Sequence, residues 1–61
     1  MKLNKELVEG VRAKITDKNI HDINNLIGGY LFSLQCYEKH GNEFKRGVKN
    51  TEQKLKDFLN D

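Results

Sequence analysis

The sequence predicts an all-α protein: an antiparallel helical hairpin with a preceding N-terminal helix, dimerising into a four-helix bundle. Three observations carry this. The 61 residues contain no proline and are rich in helix formers. From Ile20 to Tyr37, apolar residues alternate three and four apart, the seam of a coiled coil or bundle. Finally, "HGN" at His40 to Asn42 separates that seam from a second one, with Gly41 free to take the left-handed backbone that ends helices.

The first element, expected over residues 1–16, carries Leu3, Leu7, Val8, Val11 and Ile15, a narrow stripe at helical spacing. Thr16, Asp17 and Asn19 then interrupt it with residues that favour caps and turns. The five-residue step from Ile15 to Ile20 breaks the heptad phase, so a kink, a cap or a real break is expected near Asp17 to Asn19. The second element, 19–39, is the most regular. Ile20, Ile23, Ile27, Tyr30, Leu34 and Tyr37 form its seam, and Leu26, Leu31 and Phe32 are expected to widen it into a broader buried face. The third, 43–60, repeats the step through Phe44, Val48, Thr51, Leu55 and Phe58. Two long helices joined by a short turn must lie antiparallel. All of this fits one domain, 1–61.

A chain this small buries only about 60% of the surface its unfolded form exposes. With Cys36 as the only cysteine there is no disulfide to help, and no Cys/His spacing suggests structural zinc. Self-association remains. A lone hairpin leaves one side of each seam exposed, so a homodimer with Ile23, Ile27, Tyr30, Leu34, Val48, Leu55 and Phe58 inside is expected. No apolar run approaches a membrane span and no signal peptide is recognised, so no membrane partner and a reduced, cytoplasmic setting are expected. Eleven basic against nine acidic residues give +2, and the lysines are scattered. A nucleic-acid reader shows a basic stripe, so nucleic acid is not an expected partner.

The chemistry-bearing residues are crowded at the start of the second element. If Ile20, Ile23 and Ile27 face the core, His21, Asp22 and Asn25 project outward. Such an imidazole has the means to act as a nucleophile, a neighbouring carboxylate to hold its tautomer, and an amide one turn away to hold a phosphoryl oxygen or a water. Singly, each is an ordinary surface residue, and Asp22 a favourable charge near a helix start. Their joint occurrence before "LIGG" carries the functional reading. His40 reads as a turn residue, Cys36 as packing, and Tyr30 and Tyr37 as core. His21 and Asp22 supply too few convergent ligands for a metal enzyme.

The stretch "HDINNLIGGYLFSL" resembles the H-box of the dimerisation and histidine-phosphotransfer domain of sensor histidine kinases. The resemblance is specific over about fifteen residues and architectural through residue 60. It implies a homodimeric four-helix bundle with His21 phosphorylated, Asp22 assisting proton transfer at the imidazole, and Asn25 positioning the phosphoryl group or hydrolytic water. Gly28 and Gly29 match the small residues that follow the box. The family's ATP-binding boxes are not among these residues, so no cofactor is expected in the chain. ATP and Mg2+ would act only through a partner kinase domain. The "TDKN" before His21 departs from the family's continuous apolar seam.

The expected function is therefore a phosphotransfer and dimerisation module of two-component signalling. Its partners would be a response-regulator receiver domain, a kinase catalytic domain, or both. The alternative is a small helical dimeric adaptor or inhibitor that binds such partners without being phosphorylated.

Overall fold

The apolar seam of the central segment forms one unbroken helix, and the same chain supplies its cover. The structure, a computed structural model, describes residues 2–60. Three helices, α1 (Lys5–Arg12), α2 (Ile20–His40) and α3 (Lys45–Asn60), are linked by a loop and by a 3-10 turn over Gly41–Phe44.

α1 starts where the Asn4 side chain accepts a hydrogen bond from the Leu7 amide at 3.1 Å. This satisfies one of the donors that every helix start leaves open. Glu6 in the first turn and Arg12 in the last suit the helix dipole. The helix is shorter than the expected 1–16, because the chain turns at Ala13 and Lys14. The anticipated interruption before α2 is a real break. Asn19 does not cap α2 with its side chain. Its amide instead clamps the loop, accepting from the Thr16 amide at 2.6 Å and donating to the Lys14 carbonyl at 3.2 Å.

α2 matches its expected range to within a residue. It ends at Gly41, whose φ of 74° and ψ of −143° lie in a region essentially reserved for glycine. Phe44 falls in the 3-10 turn, so α3 begins at Lys45 and not at 43. The helices run antiparallel. A Cβ built on Gly47 would lie 3.8 Å from Ser33, and one on Gly29 would lie 3.9 Å from Thr51. Stepping four residues back along α2 thus steps four forward along α3.

The core comprises Leu7, Val8, Val11, Ile23, Ile27, Tyr30, Leu34, Val48 and Leu55, with Ile15, Leu26, Tyr37, Phe58 and Leu59 packed partly against it. Burying a side chain such as Leu55 contributes roughly 1.5–3 kcal/mol. α1 covers the side of the hairpin seam that the sequence reading left for a second copy, so a single chain encloses these residues.

Three polar devices complete the packing. The Tyr30 hydroxyl, at the centre, accepts from the Asn4 amide at 3.0 Å and donates to Glu52 Oε2 at 3.4 Å, joining all three segments. Lys14 Nζ reaches the Leu59 carbonyl at 3.0 Å, tying the α1–α2 loop to the end of α3. Thr51 sits in the third seam because its hydroxyl bonds the Gly47 and Val48 carbonyls of its own helix.

The broad buried face expected of α2 forms only in part: Leu26 packs against the core, whereas Leu31 and Phe32, and Ile20 at the start of the seam, do not. Ile20 is 39% exposed, Leu31 37% and Phe32 65%. Phe32 follows Ile23 by nine residues, two and a half helical turns, and so emerges on the opposite side. Ile20 and Leu31 lie at the seam's margin, where the eight residues of α1 give only partial cover.

Candidate functional site

The chemistry anticipated from the sequence lies on the outside of α2, and the periodicity of a helix decides how it is arranged. His21, Asp22 and Asn25 are all solvent-exposed, as expected from the inward direction of Ile23 and Ile27. His21 is the second residue of the helix, so no helical segment precedes it as a continuation of α2. Successive side chains on a helix diverge by about 100°, whereas residues four apart nearly align. His21 and Asn25 therefore share a face, one turn apart, about 6 Å by helical rise. Asp22 is directed away from His21 toward the α3 side. No side-chain hydrogen bond or ion pair joins the three among the described residues.

The face carrying His21 and Asn25 continues along the whole helix. Asn25, Gly28, Phe32, Gln35 and Lys39 follow His21 at steps of four, three, four, three and four, and every one is exposed. Apolar spacing alone places Phe32 in the core and does not reveal this second heptad stripe. The signal was present in the spacing, but a stripe of one imidazole, two amides, a glycine, one phenyl ring and an ammonium does not register as a seam when only apolar residues are counted. Gly28 has no atom within 4 Å of the place a Cβ would take, so the stripe has an open notch one turn before the Phe32 ring.

Beside this stripe, on the α1 side, Leu3, Lys5, Val8, Glu9, Arg12 and Leu31 line a shallow depression of about 260 Å³. It contains none of His21, Asp22 and Asn25. His40 closes α2, with its ring 5.4 Å from that of Phe44 and inclined at 42°, a turn contact as expected. Cys36 is half-buried.

Inside the protein the phenol of Tyr30 is held above its ordinary pKa of 10.0, chiefly by burial and further by the Glu52 carboxylate, against the opposing Asn4 amide. That group serves the fold. Among the described residues no cluster of three His, Cys, Asp or Glu is placed to hold a metal ion, and no helix is long and apolar enough to cross a membrane. Comparison with protein-family models, curated proteins and solved structures finds no match for this chain.

Proposed function

We propose that this chain is a small helical interaction module whose working surface is the outward stripe of α2 and whose occupant is a partner helix laid along it. The observation that supports this reading is Phe32, 65% exposed at the middle of the stripe, in a chain whose own core is already enclosed by α1. Single exposed apolar residues are ordinary. Phe32 differs in having the Gly28 notch on one side and the exposed Leu31 next to it, a flat aromatic anchor with room for a partner's side chain. The heptad step suits another helix better than an extended peptide, because knobs spaced three and four apart mesh with holes of the same spacing.

Photo-crosslinking tests it. With a benzophenone amino acid at position 32, the protein in its native host should yield a discrete adduct, and the same probe at exposed Lys49 of α3 should not. Equal labelling, or none at either position, overturns the reading.

A second reading, phosphotransfer through His21, is favoured by one observation: His21 and Asn25 are exposed on the same stripe that would receive the partner. A phosphoryl group would pass from a kinase's ATP, leaving ADP, or from a receiver domain's acyl phosphate, leaving its carboxylate, to an imidazole nitrogen. Asn25 is placed to contact a phosphoryl oxygen there, while the divergence of Asp22 from His21 makes its assistance the weaker part. Incubation with a kinase catalytic domain plus ATP and Mg2+, or with a phosphorylated receiver domain, should label the protein in an acid-labile, base-stable form. His21→Gln should abolish the label and His40→Gln should not. Equal loss, or no label at all, removes this reading and leaves the interaction module.

A further inference from the structure

Resting on the α2 stripe as an interaction surface, we infer that the helix laid along it is α2 of a second copy, running antiparallel about a two-fold axis level with residue 30. The stripe is complementary to itself in that orientation and in no simple parallel one. The antiparallel register places Phe32 over the partner's Gly28, and Gly28 under the partner's Phe32. The open notch, with nothing within 4 Å of its Cβ position, receives the ring that is 65% exposed.

The same register sets Asn25 opposite the partner's Gln35, amide against amide, where each has donors and acceptors to exchange. His21 then meets the partner's Lys39 at each end of the contact. On one flank, Leu31, 37% exposed, falls beside the axis against its own copy. Asn24 meets the partner's Glu38 on that flank, and Asp22 the partner's Cys36 on the other.

A parallel pairing does the reverse. It stacks Phe32 on its own copy, leaves two Gly28 notches facing each other unfilled, and sets Lys39 against Lys39. Empty space forgoes contact energy and like charges repel, so both features select against it. An isologous two-fold contact is also the commonest route by which small soluble chains associate. The dimer expected from the sequence was to share the inner seam, which α1 covers; this one uses the opposite face and leaves the three-helix core intact.

The stripe from His21 to Lys39 is about 27 Å long by helical rise. A contact of that length with one aromatic anchor per copy belongs at the small end of specific interfaces. Association is therefore to be measured up to about 200 µM, a range that reaches well beyond micromolar dissociation constants. In analytical ultracentrifugation the protein should form a concentration-dependent dimer, and Phe32→Ser should be monomeric with unchanged helical circular dichroism.

Orientation is read by disulfide trapping in a Cys36→Ser background. When Asn25→Cys and Gln35→Cys chains are mixed under mild oxidation, the mixed 25–35 disulfide should dominate. Predominant 25–25 and 35–35 disulfides overturn the antiparallel arrangement. A monomer throughout the concentration range overturns self-association. The interaction reading itself then stands or falls on the mass of the position-32 photo-adduct: twice the chain for a second copy, another mass for a different partner helix.

Discussion

α2 carries two stripes with the same arithmetic and opposite fates. The inner one, Ile23, Ile27, Tyr30 and Leu34, is buried to 7% exposure or less. The outer one, His21, Asn25, Gly28, Phe32, Gln35 and Lys39, is exposed throughout. Helical spacing says which residues travel together, while the composition of each set and the reach of the neighbouring helices decide which set is enclosed. An apolar residue placed on the outer stripe therefore contributes little to the fold of the single chain.

The largest test of this difference is a pair of truncations. Leu55→Ala, in the wall facing the inner stripe, should cost about 2–5 kcal/mol, enough to unfold much of so small a domain. Phe32→Ala removes a larger side chain, yet should change monomer stability by no more than about 0.5 kcal/mol. Urea denaturation of both at low protein concentration decides the matter. Comparable losses would mean that the outer stripe is part of the core.

The turn that fixes which stripe faces α3 gives the next effect. Gly41→Ala meets no steric neighbour, but forces a side chain into φ 74°, ψ −143°, at about 1–3 kcal/mol. Its midpoint should fall while the urea m-value is unchanged; an unaltered midpoint would show that α2 and α3 do not depend on this conformation.

Tyr30→Phe sharpens the inner stripe alone. Losing the phenol oxygen removes the acceptor for the Asn4 amide, at about 1 kcal/mol. The effect has a pH signature. Because the native phenol binds its proton more tightly than the unfolded one, the contribution of Tyr30 is full below pH 10.0 and is lost as pH rises through the raised native pKa. Measured against wild type from pH 8 to 11, the variant should lack that part of the alkaline decline. Parallel curves would remove the phenol from the account.

The smallest effect is a gain. Gly28→Ala places a methyl group in open space within a helix and should stabilise the monomer by about 0.4–1 kcal/mol. A loss instead would mean that the notch is filled within the chain.

How far the sequence anticipates this molecule follows from the kind of information each element needs. The central seam from Ile23 to Leu34, the glycine stop and the outward direction of His21, Asp22 and Asn25 depend only on residues a few positions apart, and each is found where expected. The fate of α1 depends on contacts more than twenty residues away, above all between Asn4 and Tyr30, which no local pattern encodes. For the same reason apolar pattern alone places Leu31 and Phe32 in the core: counting apolar residues shows how wide a face is, not how much of it an eight-residue helix can cover. Asn19 resembles a helix cap in sequence, and only the folded loop reveals it as a clamp on Thr16 and Lys14. The phosphotransfer roles given to the polar cluster come from resemblance. What geometry adds is that Asn25, and not Asp22, accompanies His21.

The amide of Asn4 lies outside every helix and yet is held by a phenol from the centre of α2. Its hydrogen can exchange with solvent only when that single bond opens, whereas the amides of the inner stripe wait for α2 itself to unwind. Hydrogen-exchange rates at Asn4 and Ile27 thus time two separate events. If Asn4 exchanges far faster, the N-terminal helix swings away as its own cooperative unit, transiently uncovering the apolar wall behind it while the hairpin remains closed.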